Sequence, residues 1–545
     1  MKIALAQLDY HVGNFEQNTS KIIDFIGQAK ANHADLVLFA ELAVCGYPPR
    51  DFLEFGDFIA LCKNAIDTIA AHCQGIAAIV GAPSPNDNPK GKSLYNSAYF
   101  LKDGRIDKII HKTLLPNYDV FDEYRYFEPN RSFECIELHG KKIALTICED
   151  LWNIDDDPMY IINPMDYLIK EHPDFAVNIA ASPFSYSHDA SRTHVLLKNA
   201  GQYGIPFFSV NHIGAQTELI FDGCSTVANA QGKIWKLAPF REDLQYFMLD
   251  DILAGNGGVQ NLETDKYDLI YNALIVGIRD YFSKLGFKKA VLGMSGGIDS
   301  AVVLALAVAA LGPENVMPVL MPSPYSSDGS KNDSLAMIQN LGTSHEIIPI
   351  SGIMNAYDQA LAPAFEGRKP DIAEENIQAR IRGALLMAMS NKLNMILLNT
   401  SNKSEFSVGY STMYGDSIGA ISVLGDVYKM EVYALAKYIN KKHGDWIPDI
   451  ILTKAPSAEL RPDQKDQDSL PPYELLDPIL FQYIEMRQSP EQIIGMGHDR
   501  ALVYRILKMV NQSEYKRFQA SPILRVSDKA FGSGRRLPIV AKYLG

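Results

Sequence analysis

The chain has 545 residues, 47% hydrophobic and 21% charged, the proportions of a soluble globular protein of two or three domains. A formal net charge of −13 excludes a general nucleic-acid binder, because no domain-wide basic face is available to meet a phosphate backbone, while a local nucleotide site stays open. The opening MKIALAQLDY is too short and too polar afterwards for a signal peptide, and no apolar run reaches membrane-spanning length. No membrane partner and a cytoplasmic location are therefore expected. The six cysteines, 45, 62, 73, 135, 148 and 224, lack CxxC or zinc spacing and are expected to be reduced thiols.

In chain order, Lys2–Gln7 predicts a strand and Asn14–Ala31 a helix. Further strands are predicted at Ala34–Ala40, Ala77–Ala82, Ser97–Leu101, Lys142–Ile147, Phe175–Ala180 and Pro206–Asn211. Around Leu253–Leu262 the pattern breaks into LAGNGGVQNL, a glycine-rich polar stretch that reads as a linker. The expected organisation is a first domain over 1–252, a linker over 253–264 and a second domain over 265–545. The second series starts with a helix at Asp265–Leu285, followed by the apolar run Ala290-Val291-Leu292, the turn SGGIDS and the apolar segment Ala301–Leu311. Next come the strand Val316–Met321, the helix Lys331–Leu341, the strand His345–Ile350, a long helix from Ile372 to Asn394 and the strand Met395–Asn399. Repeated βα alternation predicts α/β architecture with a parallel, doubly wound sheet in this half. Pro456–Tyr473, polar and proline-rich, reads as a lid or a surface loop.

The segment Gly293–Ser300 (Gly293, Met294, Ser295, Gly296, Gly297, Ile298, Asp299, Ser300) carries the clearest chemistry. Strand, glycine turn and helix together let backbone N–H groups approach a phosphate, and the two serines add hydroxyl donors. The turn does not end in GK[ST], so it is not a Walker A loop, and its spacing is not GxGxxG. It resembles the SGGxDS loop of ATP-pyrophosphatases, which adenylate a substrate and release pyrophosphate. Three further words follow: NIQAR (376–380), TSNKSE (400–405) and YGD (414–416). In this order they resemble the ammonia- or glutamine-dependent NAD synthetases. The resemblance implies that ATP meets Gly293–Ser300 and Thr400. It also implies that Asp299 and Glu405 hold Mg²⁺, as hard cations prefer carboxylate oxygens. Asn376, Arg380, Glu405, Asp416, Lys429 and Lys516 would contact the dinucleotide deamido-NAD⁺, and Lys403 with Lys429 would set positive charge against phosphate.

In the first half, Glu41 (FAELAVCGYPP), Lys112 (HKTLLPNYD) and Cys148 (TICEDLW) stand at or beside strand ends. These words resemble the nitrilase superfamily, which implies an αββα sandwich and a Glu–Lys–Cys triad for carbon–nitrogen hydrolysis. A thiolate at Cys148 would attack an amide carbonyl, Glu41 would take its proton, and Lys112 would meet the developing oxyanion. Likeness to the glutaminase members implies that Tyr118 and Ser182 hold L-glutamine. Those members carry a lysine shortly after the SPF word; here His188 stands there, so His188 or Arg192 takes that contact. Together the halves imply a glutamine-dependent NAD⁺ synthetase. On that resemblance ATP would adenylate the nicotinate carboxylate of deamido-NAD⁺, ammonia from the Cys148 site would form the amide through a closed passage, and a homo-oligomer is expected. Another enzyme of the SGGxDS class, a plain amidase with an accessory nucleotide domain, and a non-catalytic nucleotide sensor are the alternatives.

Overall fold

The computed structural model describes residues 1–154, 158–259, 264–462 and 464–544. It divides into two compact units, Met1–Thr264 and Asp265–Gly545. Residues 260–263 of the expected linker lie outside the described residues, and Leu253 and Ala254 close a short helix, Leu249–Ala254. No helix among the described residues is long and apolar enough to cross a membrane.

The first unit holds two six-stranded sheets. In spatial order the first contains Asp243–Met248, Lys2–Gln7, Leu36–Leu38, Ala77–Pro85, Leu94–Lys102 and Arg105–His111. The second contains Ile234–Lys236, Thr226–Ala228, Phe207–Asn211, Phe175–Ala180, Lys141–Ile147 and Ile136–Leu138. Strand alternation sorts the side chains between two cores. Ile3, Leu5, Leu38, Ile79 and Phe100 pack against Leu145, Phe175, Val177 and Phe208 of the other sheet. Ala4, Ala6, Val37, Ala78 and Val80 face the helices Phe15–Ala31 and Gly56–Ala71, where small residues let a helix lie close. The helix His188–Tyr203 covers the outer face of the second sheet through Val195, Leu196 and Ala200. The result is an αββα sandwich. The strand predicted over Ala34–Ala40 shrinks to Leu36–Leu38, because the chain leaves the ladder to carry Glu41 inward. Arg105–His111 escapes the sequence pattern because it is an edge strand with mostly solvated side chains.

The second unit is built on a five-stranded, all-parallel sheet. Its order is Glu346–Ile347, Val316–Leu320, Ala290–Gly293, Ile396–Asn399 and Ile421–Ser422, third-second-first-fourth-fifth in sequence. Strand order reverses beside Ala290–Gly293, and the carboxyl ends there open the crevice in which doubly wound sheets bind ligands. The strand predicted at His345–Ile350 survives only as Glu346–Ile347. Pro349 cannot donate to a ladder, and the chain turns directly into an unpredicted helix, Ser351–Leu361. The C-terminal helices Tyr473–Ile484, Pro490–Gly495 and Arg500–Gln512 bury Leu476, Leu480, Ile493, Val503 and Leu507 in a separate core.

Candidate active sites

In the first unit, Glu41 and Lys112 are completely buried, and the ammonium donates to Glu41 Oε1 at 2.6 Å. Three groups aim the Glu41 carboxylate. Asn96 donates to Oε1 at 2.7 Å, the backbone N–H of Ala181 donates to Oε2 at 3.0 Å, and Gly81 packs against the Glu41 backbone. A Cβ at Gly81 would stand 2.7 Å from the Glu41 Cα, so only glycine allows that approach. Lys112 also meets Glu123, at 2.9 Å to Oε1 and 2.8 Å to Oε2. Burial works against the ammonium, but Glu123 and Glu41 together hold its pKa well above the ordinary value. Two carboxylates on one lysine leave excess negative charge; burial, opposed by Lys112 and reinforced by Glu41, pushes Glu123 up to about 7.

Cys148 follows the last residue of the strand Lys141–Ile147 and opens a single helical turn with φ of +44°. A left-handed backbone at a non-glycine residue is strain of the kind stored at functional sites. Asp150 supports this elbow: its carboxylate accepts from the N–H of Ile147 at 3.0 Å, of Thr113 at 2.9 Å and of Leu114 at 2.8 Å. One side chain thus ties the cysteine turn to the segment just after Lys112. Burial and then Glu41 push the Cys148 thiol well above its ordinary range, while Lys112 pulls it down. The resting sulfur is a thiol, and its proton must leave as it attacks.

Around this centre, Tyr118 donates to Glu149, Ser182 Oγ lies 3.0 Å from His188 Nε2, and the His188 ring stacks on Trp152 at 5.1 Å. Arg192 is engaged elsewhere: both terminal nitrogens donate to the buried Asp222 carboxylate. Both residues expected near Ser182 touch it: His188 meets its hydroxyl, and Arg192 Nη1 also donates to its backbone carbonyl at 3.4 Å. Sequence reasoning missed Glu123, Asn96, Asp150 and Glu149; only Glu149 and Asp150, inside the word CEDLW, carry a local signal.

In the second unit the SGGIDS turn links Ala290–Gly293 to the 14-residue helix Ile298–Leu311. Gly296 has φ of +79°, and a Cβ there would sit 2.4 Å from the Ser330 carbonyl oxygen. Ser295 Oγ accepts from the Gly297 N–H at 3.3 Å and lies 3.2 Å from Ser300 Oγ, so the hydroxyls stiffen the turn. Lys429 donates to Asp299 at 2.5 Å and lies 3.6 Å from Glu405. Asn402 bridges the two acids, donating to Asp299 at 3.0 Å and accepting from the Glu405 N–H at 3.0 Å. Burial, then Asp299, push Glu405 up to about 8. Asp466, from the proline-rich segment, adds to that negative charge, and with Glu459 and Leu460 it lines the same cleft as Thr400.

Asn376 and Arg380 lie on the helix Ile372–Leu393 and meet one loop: Asn376 accepts from Thr412 Oγ1 at 2.7 Å, and Arg380 donates to the Met413 carbonyl at 3.3 Å. Asp416 accepts from the Thr412 N–H at 2.5 Å, and burial raises it to about 6. Lys516 donates to the carbonyls of Gly409 and Ser411 at 2.7 Å each. Lys403 is a correction. It is fully buried away from the cleft, with Asp426 at 2.8 Å, Glu485 at 2.7 Å and Ser527 at 2.7 Å, so its charge is consumed internally and does not face phosphate.

Comparisons with known proteins cover both units. A carbon-nitrogen hydrolase family model matches residues 2–251, and an NAD synthase model matches residues 270–520. A glutamine-dependent NAD(+) synthetase from Synechocystis sp. is 45% identical across 99% of each chain. One from Thermotoga maritima is 38% identical across 100% of this chain and 99% of its own. The solved structure of glutamine-dependent NAD+ synthetase from Acinetobacter baumannii in complex with ADP has a TM-score of 0.78 at 37% identity, covering 99% of this chain and 98% of that one. A carbon-nitrogen hydrolase unit joined to an NAD synthase unit defines a carbon–nitrogen ligase that draws its nitrogen from glutamine. Within that class, the chain belongs to the glutamine-dependent NAD(+) synthetases.

Proposed function

We propose that Cys148, Glu41 and Lys112 release ammonia from glutamine, and that the residues around Gly293–Ser300 use it to amidate deamido-NAD⁺ to NAD⁺ with ATP. Glu41 takes the Cys148 proton as sulfur attacks the amide carbon of glutamine, and Lys112 stabilises the negative oxygen that forms. The proton passes to the leaving nitrogen, ammonia departs, and water cleaves the glutamyl thioester. In the second unit the nicotinate carboxylate attacks the α-phosphorus of ATP and pyrophosphate leaves. Ammonia then attacks the acyl adenylate and AMP leaves. Gly293–Ser300 and Thr400 receive ATP, and Tyr118, Ser182 and His188 receive glutamine. Asn376, Arg380, Glu405, Asp416, Lys429 and Lys516 receive deamido-NAD⁺.

Asp299 and Glu405 fit Mg²⁺: they are hard oxygen donors beside the phosphate loop, and the rise of Glu405 to about 8 marks negative charge that a cation relieves. When bound, the ion would screen the triphosphate. A homo-oligomer belongs to the same reading, with exposed apolar side chains such as Ile161, Phe518 and Val540 available for burial; sedimentation velocity tests it. The observation that carries the assignment is the Lys112–Glu41 pair, fully buried at 2.6 Å and acting electrostatically on Cys148. The test is NAD⁺ synthesis in Cys148→Ala. Loss with glutamine and retention with ammonium is the expected outcome. Equal activity with both donors would overturn the assignment of Cys148.

A further inference from the structure

Glu41 follows the strand Leu36–Leu38 of the first sheet, whereas Cys148 follows Lys141–Ile147 of the second. The core between these sheets is apolar, and apolar packing sets a separation without setting a direction. A base and a nucleophile must meet within hydrogen-bond reach, so directional ties between the layers matter here. His212 supplies one. It directly follows the strand Phe207–Asn211 of the second sheet, it is 1% exposed, and its Nε2 lies 2.7 Å from the backbone carbonyl oxygen of Glu41. A carbonyl only accepts, so Nε2 carries the proton and donates. The ring packs edge-on to Tyr10 at 4.8 Å and tilted to Phe221 at 5.4 Å. The neighbouring Asn211 side chain accepts from the Ser182 N–H at 2.8 Å and donates to the Ser182 carbonyl at 3.1 Å. One dipeptide thus grips both Ser182 and Glu41.

The bond acts on a strained peptide. Leu42, next after Glu41, has φ of +47°, in the left-handed region disfavoured for a residue with a Cβ. The carbonyl that His212 holds belongs to the peptide between these two residues. Rotating that peptide plane changes ψ of Glu41 and φ of Leu42 together, so rotation would relieve Leu42 and lose the His212 bond. Gly81 shows how closely this main chain is fitted: a Cβ there would stand 2.4 Å from the Leu42 nitrogen. We propose that His212 is a positioning residue for the general base. Its hydrogen bond holds the Glu41–Leu42 peptide against the strain and so places the Glu41 carboxylate for Cys148. This inference rests on the glutaminase reading above. Lys112, Asn96 and the Ala181 N–H orient the carboxylate itself, and His212 fixes the main chain from which it hangs.

The experiment measures ammonia release from L-glutamine in His212→Met and His212→Gln, replacements of similar length of which only the second offers an N–H donor. In His212→Met, kcat should fall by about 30-fold, part of the roughly 100-fold that a misplacement of about 1 Å can cost, with KM changed by less than about threefold. His212→Gln should keep at least about tenfold more kcat than His212→Met. Urea unfolding of both variants runs alongside, because a merely structural role predicts the opposite order. Methionine suits an apolar pocket better than glutamine, so the more stable variant would then be the more active. Equal kcat in the two variants, or a higher one in His212→Met, overturns the proposal. If His212→Met does not fold, His212→Phe keeps a ring against Tyr10 and Phe221 and takes its place in the same comparison. Failure of the underlying reading looks different. In that case wild type releases no ammonia from glutamine, or Cys148→Ala releases it undiminished, and both readings fall together.

Discussion

Replacing Lys112 with Met removes the one cation between two buried carboxylates, Glu41 at 0% and Glu123 at 6% side-chain exposure. Breaking a buried pair by removing one partner costs about 3–5 kcal/mol, because the remaining charge has neither water nor a counter-ion. The sign of the pH dependence follows from Glu123, already held up to about 7 in the folded chain against an ordinary 4.5. Loss of Lys112 raises it further. A folded-state pKa above the unfolded one means that stability is present at low pH and is lost as pH rises through that window. The Lys112→Met penalty should therefore be about 3–5 kcal/mol at pH 8. At pH 6 it should be smaller by up to about 1.4 kcal/mol: over those two pH units the variant loses up to about 2.8 kcal/mol, at roughly 1.4 kcal/mol per unit, while wild type, with Glu123 at about 7, already loses about 1.4 kcal/mol. The assay is urea unfolding followed by tryptophan fluorescence in a Trp446→Phe background, which leaves Trp152 and Trp235 of the first unit as reporters. Adding Glu123→Gln should restore part of the loss. A penalty below about 1 kcal/mol, or one identical at both pH values, would refute the account of this site as a charge-frustrated buried cluster.

Three other outcomes are expected. Gly296→Ala places a methyl 2.4 Å from the Ser330 carbonyl at φ of +79°, so the loop must move; ammonium-driven NAD⁺ synthesis should fall by about 100-fold. Lys403→Met should cost about 3–5 kcal/mol in the second unit, read from Trp446 fluorescence during urea unfolding. A raised KM for ATP without lost stability would instead restore Lys403 to the phosphate site. Removing divalent metal with EDTA should abolish ammonium-driven synthesis, with recovery on adding Mg²⁺. Glu405→Gln should raise the Mg²⁺ concentration needed by about tenfold, as one of two anionic donors is lost.

Local words were enough to identify the chemistry. SGGIDS is legible as a glycine turn between a strand and a helix, because strand, glycine and helix N-terminus are contiguous in the chain. Alternation in segments such as KIALAQ and FAVNIA likewise assigns each side chain to one face of a sheet before any partner is known. Where partners are distant in sequence, only tertiary structure decides. Glu123 joins Glu41 and Lys112 because the strands Leu94–Lys102 and Arg105–His111 bring the segment after them back to Glu41, and nothing in EYRYF marks that return. Lys403 sits inside a word full of site residues, yet its side chain leaves the helix Lys403–Val408 on the side buried by Asp426 and Glu485. The charge of a lysine is legible in sequence. Whether that charge faces a ligand or is cancelled inside the protein depends on which acids the fold packs against it, from positions 23 and 82 residues further along the chain.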